Sequence, residues 1–132
     1  MAPSPSPGLE ADGRHLLARH TYPVGRFRRE VWGLPGGAVE KYESIPQALR
    51  RELAQELGLE VAVERLLLVD TSEAPLLDFV FACRVRNGRF RPSSEVAEIG
   101  WFEPGRPPDG TSARHRRVLA LVAAGPRATL FT

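Results

Sequence analysis

The spacing of apolar positions changes along this chain, and each change marks an element. Leu49, Leu53 and Leu57 recur every four residues, the stripe of an amphipathic helix. Ser44 can cap that helix and Gln47 can complete a capping box, while Pro46 sits in the first turn, where no helical N–H partner is needed. Gly58 then stops it. Val61 and Val63 alternate ahead of an LLLV run, so the stretch from Glu60 to Asp70 reads as a strand, followed by a loop over Thr71 to Pro75. Leu76 to Arg86 predicts another strand, and Asn87-Gly88, the strongest hairpin signal in the chain, predicts a return through Arg89 to Arg91. Val96 to Phe102 is a further strand. Thr111 or Ser112 caps a last helix that runs to about Ala124, with Val118, Leu119 and Val122 inward and Gly125-Pro126 as its stop. Upstream, His15 to Arg19 reads as a short strand, Thr21 to Arg29 as a basic loop facing a ligand, and Glu30 to Leu34 as a brief extended segment. Strands, helix, strands, helix imply an α/β sandwich around a mixed sheet.

Size limits the rest of the reading. A chain of 132 residues, 42% of them apolar, forms one domain that buries about two-thirds of its extended-chain surface. The proline-rich start predicts a flexible tail over 1–13, a single domain over 14–125 and a C-terminal tail over 126–132. Eighteen basic against sixteen acidic residues give +2, too mild and mixed for a nucleic-acid stripe and better suited to small anionic metabolites. Cys83, the single cysteine, lies among apolar residues in FVFACRV, which argues for a core thiol and a reducing compartment. With no apolar run for a membrane span and no secretory segment, cytoplasm is the expected location and no membrane partner is expected.

The polar face of the first helix carries the candidate chemistry. Glu52, Gln55 and Glu56 stand three and four apart, so their side chains reach one patch. Two like charges one turn apart repel, and a divalent ion reverses that interaction. Hard oxygen donors suit Mg²⁺ or Mn²⁺ rather than zinc, and His15, His20 and His115 have no metal-ligand spacing. Gly36 and Gly37 let backbone come near a ligand and offer a carbonyl, and Arg51 can pair with Glu43 or Glu52. A solvated acidic face is the competing explanation of the same spacing.

At this point the residues form a known pattern. Gly37, Glu43, Arg51 and Glu52 stand at the spacing of the Nudix hydrolase signature, and Leu53, Glu56, Gly58 and Leu59 fill all but one of its remaining defined places; the lead-in WGLPGG, 32–37, is similar as well. The resemblance implies an α/β/α sandwich around a mixed sheet. It also implies hydrolysis of a nucleoside diphosphate linked to another moiety, with water attacking phosphorus. Carried over by position, Glu52 and Glu56 are primary metal ligands, with Gly36 and Gln55 as further donors. Arg51 orients a glutamate, and Gly37, Glu43 and Gly58 support the box. Mg²⁺ is the implied cofactor, with Mn²⁺ as an alternative, and a small nucleotide rather than a nucleic-acid polymer is the implied substrate.

Two departures stand out. Gln55 replaces a glutamate, and an amide oxygen carries no charge for the metal and cannot take a proton from water as a carboxylate can. The family's first strand would fall where this chain has Pro7 to Gly13, so that strand is either missing or short and irregular, and a homodimer would cover the edge left open. Beyond the box, Glu95 and Glu98 are the candidate extra carboxylates. Arg28, Arg29 and Trp32 are candidate substrate contacts, and Arg114, Arg116 and Arg117 are expected to make a wet basic face. A nucleotide-sensing domain with weak or no turnover, argued from Gln55, and a purely structural interaction domain are the rival readings.

Overall fold

The computed structural model describes residues 2–5, 14–37, 39–72, 77–103, 105–124 and 130–131. In chain order the elements are β1 (Ala2–Pro5), β2 (His15–Val24), β3 (Phe27–Gly33), α1 (Ile45–Leu57), β4 (Leu59–Asp70), β5 (Asp78–Gly88), β6 (Val96–Phe102), α2 (Ala113–Ala123) and β7 (Leu130–Phe131). They make a mixed four-stranded sheet, β1-β5-β4-β7, and an antiparallel three-stranded sheet, β3-β2-β6. Most of the tail expected over 1–13 and the stop at Gly125-Pro126 lie outside the described residues. Among those described, no helix is long and apolar enough to cross a membrane.

Strand alternation divides the core in two. Leu16 and Ala18 of β2 face the α1 stripe of Leu49, Leu53 and Leu57, together with Val61, Phe81, Cys83 and Val96. Leu17, between them in sequence, points to the other side, where it meets Leu34, Leu68, Val80 and the α2 residues Val118 and Leu119. One helix therefore covers each side of the strand layer, which is the expected α/β/α sandwich. Val122 packs at the edge of the second cluster. Cys83 is fully buried, and burial pushes its thiol up to about 12, so it serves as a core residue.

Both helix starts follow their caps. Ser44 Oγ accepts the Gln47 N–H at 3.2 Å while Gln47 Oε1 accepts the Ser44 N–H at 2.8 Å, and Gly58 closes α1 in the left-handed conformation. Ser112 rather than Thr111 caps α2, its hydroxyl accepting the His115 N–H.

Three local expectations are corrected. Thr21 to Arg29 is a hairpin rather than a loop: β2 and β3 pair from Ala18↔Gly33 to Val24↔Phe27, closing on Gly25-Arg26 with Gly25 at a φ of 60°. Glycine at the first position of a two-residue turn supplies the backbone twist that this connection needs. Asn87-Gly88, by contrast, makes no hairpin, because β6 joins β2 in the other sheet. Gly88 pairs with Leu59, and a Cβ there would stand 2.2 Å from the Gly58 carbonyl oxygen. Its glycine serves a close backbone approach to the end of α1 rather than a turn.

The third correction concerns the first strand, expected at 7–13 as either missing or short and irregular: a short strand is present, and it lies at Ala2–Pro5 instead. Ala2–Pro5 runs parallel to β5, in register from Ala2↔Val80 to Pro5↔Cys83. Pro3 and Pro5 sit two apart, so both nitrogens lie on one side of the strand, and an edge position tolerates them when that side faces away from β5. The edge that a partner copy was expected to cover is thus occupied over these four positions. Within the expected C-terminal tail, β7 pairs with Leu68 and Val69 of β4.

Gly88→Ala should cost about 1–3 kcal/mol, since it combines a φ of 101° with that backbone collision. Urea unfolding measures the loss, and a value within 0.5 kcal/mol, roughly what a neutral surface change gives, contradicts this account of the position.

Candidate active site

The glycine turn and α1 meet where Gly37 lies against Glu52. A Cβ on Gly37 would lie 2.4 Å from the Glu52 carboxyl carbon, so glycine is what lets that carboxylate sit against the backbone. Gly36 has a φ of 154°, which a side chain would resist. Arg51 holds the acidic group together: its Nε and Nη2 donate to Glu43 at 2.8 and 3.0 Å, and its Nη1 donates to Glu52 at 2.8 Å. The fork-to-carboxylate geometry fixes orientation as well as charge. It keeps the Glu43 carboxyl below its ordinary range and raises Arg51. Glu43 Oε1 also accepts the Glu40 N–H at 3.0 Å, which ties the loop to the helix.

Glu56 is the group left without compensation. Its Oε2 is buried with no hydrogen-bond partner. Burial, followed by the hydrogen bond and charge of Glu52 and the charge of Glu95, pushes its carboxyl up to about 8, against a smaller opposing pull from Arg51. Two carboxyl groups in contact need either a shared proton or a cation. Among the described residues no three His, Cys, Asp or Glu side chains are grouped so as to hold an ion by themselves. Glu52 and Glu56 form the nucleus of such a site, and a Mg²⁺-sized ion that keeps several waters needs little more than one or two carboxylates and a carbonyl. The donor set and the orphaned oxygen fit a hard divalent cation.

Two cavities open on Glu56. The smaller, about 430 Å³, is walled by Glu40, Arg51, Glu52, Gln55, Glu56 and the 93–95 loop. The larger, about 820 Å³, runs from Gly36, Gly37, Glu56 and Glu95 past His20, Tyr22 and Trp32 to Asp78, Arg114 and His115. Glu95 therefore lies where the two meet. Its loop is pinned by the Thr21 N–H to the Glu95 carbonyl at 2.9 Å and by Arg28 Nη2 to the Ser94 carbonyl at 2.8 Å.

The other sequence candidates are placed as follows. Gln55 is exposed, with its amide oxygen 3.4 Å from Arg51 Nη1. Glu98 pairs with Arg19 at 3.5 Å and lines neither cavity. Arg28 braces the Glu95 loop instead of lining the cleft, and exposed Arg29 lines neither cavity. Trp32 does line the cleft, packed edge-on against Phe102 at 5.3 Å.

Sequence reasoning missed the far wall. The arginines of α2 are not a free basic face: Arg114 pairs with Asp78 at 2.9 Å in the cleft, Arg117 with buried Asp70 at 2.7 Å, and Arg116 donates to the Pro108 carbonyl at 2.9 Å. His115 was not singled out either. These residues come to the site because Trp32 exchanges backbone hydrogen bonds with Gly110 and Ser112, docking the start of α2 beside the glycine turn. No local pattern announces a contact made across some 80 residues of chain.

A sign follows for pH. With its folded value near 8 and its ordinary value 4.5, Glu56 takes up a proton on folding between those limits. That stabilisation is present in full below the lower value and is lost as pH rises through the upper one. The melting temperature of chelator-treated protein should therefore fall from pH 5 to pH 8 more steeply than that of Glu56→Gln. Parallel profiles contradict the assignment.

Comparison with known proteins agrees with this geometry. The NUDIX domain family matches residues 9–122. A MutT-like protein of Streptomyces ambofaciens is 32% identical over 114 residues, covering 86% of this chain and 68% of its own. A nucleoside triphosphatase, NudI, of Escherichia coli O139:H28 is 29% identical over 117 residues, covering 74% and 79%. The crystal structure of a UDP-X diphosphatase superposes with a TM-score of 0.74 at 26% identity, over 99% of this chain and 64% of that one. With the signature spacing, the sandwich and the carboxylates around Glu56 all in place, the chain belongs to the Nudix hydrolase family.

Proposed function

We propose that the cleft carries out divalent-metal-dependent hydrolysis of a nucleoside diphosphate linked to another moiety, with water attacking phosphorus. The observation that carries this reading is the buried, unpartnered Glu56 oxygen against Glu52, at the junction with Glu95. Similarity to proteins named as a nucleoside triphosphatase and a UDP-X diphosphatase supports the substrate class, though their names differ in the substrate itself. Mg²⁺, or Mn²⁺ in its place, would be held by Glu52 and Glu56, with the Gly36 carbonyl and the Gln55 amide as further donors; when bound it neutralises the diphosphate and lowers the pKa of water.

The chain's own residues do the remainder. Arg51 keeps Glu52 turned toward Gly37 and Glu43 locked to the loop, so one side chain sets the separation between turn and helix. Glu95, on its pinned loop, would receive the proton of the attacking water, a reading its position on both cavities supports. The longer arm of the cleft, with Trp32, Tyr22 and His20, offers ring faces to the nucleoside part. The proposal includes a cytoplasmic location and self-association. Light scattering that shows a monomer at every concentration removes the latter.

Glu56→Gln should lower kcat by about 100-fold or more, as losing a ligand costs at least what losing a supporting partner does. Glu95→Gln should lower it by about 10²–10⁴-fold if that residue is the base. Near-wild-type rates in both variants, measured on a nucleotide panel with Mg²⁺ by the monophosphate released, defeat the mechanism. Gln55 favours one rival reading, a sensor with weak turnover, because its neutral amide is drawn toward Arg51. Nucleotide-dependent thermal stabilisation without product favours that rival. Gln55→Glu should lower the Mg²⁺ concentration for half-maximal rate by about tenfold, and an unchanged titration rejects a role for the missing carboxylate.

A further inference from the structure

Leu34 is held at its backbone N–H by a histidine that lies 81 residues further along the chain. Its N–H donates to His115 Nδ1 at 3.0 Å. The His115 ring lines the larger cleft from the first turn of α2. Leu34 is itself buried, and two residues on the chain reaches Gly36 and Gly37, the turn that lies against Glu52.

The fit leaves no slack. A Cβ on Gly33 would stand 2.3 Å from His115 Nδ1, so the ring presses directly on the backbone that it accepts from. Because Nδ1 is used as an acceptor, the neutral ring carries its proton on Nε2, which is buried without a partner. Leaving a buried donor unpaired is unfavourable, and the ring is held there nonetheless by what its other nitrogen does.

We propose that His115 is a positioning residue, which sets the Gly36-Gly37 turn against Glu52 and Glu56 by fixing the Leu34 N–H and pressing on Gly33 beside it. The helix on one face of the sandwich thereby controls the separation between the glycine turn and the acidic helix on the other face. The link to the ion rests on the metal reading given above, while the grip on Leu34 does not. Orienting partners behind a ligand typically change metal affinity by about 10–100-fold.

The test compares His115→Phe, which keeps a ring but no acceptor, with His115→Asn, whose amide oxygen can stand where Nδ1 stood. Amide exchange of Leu34 and Gly37 is followed by NMR, and Mn²⁺ binding by calorimetry in the absence of nucleotide. The expected result is faster exchange at both amides and about tenfold weaker Mn²⁺ binding in the Phe variant, with both largely restored in the Asn variant. Wild-type exchange and affinity in a folded Phe variant overturn the proposal. If the Phe variant does not fold, Gly33→Ala displaces the same ring from the other side, and the same two readouts decide. If the wild-type protein binds no Mn²⁺, the metal reading fails; unchanged exchange at Leu34 overturns the grip separately.

Discussion

Everything at this site depends on placing like charges close together without letting them relax. Glu56 is half-buried against Glu52 and within reach of the Glu95 charge, and one of its oxygens has no partner. Left to themselves, such groups would rotate toward water. They stay because Arg51 holds Glu52 and Glu43 from one side, while the Leu49, Leu53 and Leu57 stripe anchors the helix from beneath. Repulsion retained by packing is stored capacity to bind a cation, since a divalent ion turns the unfavourable contacts favourable at once.

The sandwich keeps that capacity from being lost through movement of the backbone. α1 is fastened to the strand layer on one face and α2 on the other, and the glycine turn passes between them. Turn and helix meet at Gly37 and Glu52, where there is no room for a side chain. The opposite wall is the 93–95 loop, pinned to β2 through Thr21 and to the hairpin through Arg28. Three separate segments thus converge on Glu56, and each is held by bonds that do not involve a ligand.

How far this could be read from residues alone follows the distance over which each feature is determined. The capping box of Ser44 and Gln47, the Gly58 stop and the leucine stripe are set within a few positions, and all were legible. The box carboxylates belong to the same local pattern. Asn87-Gly88 misled because glycine answers two different needs, a turn or a close approach, and the choice depends on Gly58, which lies far away in sequence. Gly25-Arg26 was hidden for a related reason: proline, glycine and three arginines look like a loop until pairing with β6 and the cap of α2 fixes β2 and β3 as strands. His115, Arg114 and Asp78 have no signature at all, because only the docking of Ser112 on Trp32 brings them to the cleft.

The charge of the cleft decides how a diphosphate would be received. Among the described residues its larger arm presents Glu95 and Asp78, beside a Glu56 whose ionisation burial and Glu52 oppose, against a single cation, Arg114, which is already paired with Asp78. In the smaller cavity the cation is Arg51, committed to Glu43 and Glu52. Arg28 and Arg29, which looked suited to phosphate, face elsewhere. A bare diphosphate entering this space meets net negative charge at short range, and several kcal/mol of repulsion would be typical where the local dielectric is low. Among the described residues no uncommitted arginine lines the cavities to offset it. In the proposed reaction countercharge would then have to arrive with the substrate or ahead of it, which would make affinity for the anhydride and affinity for the divalent ion two aspects of one equilibrium.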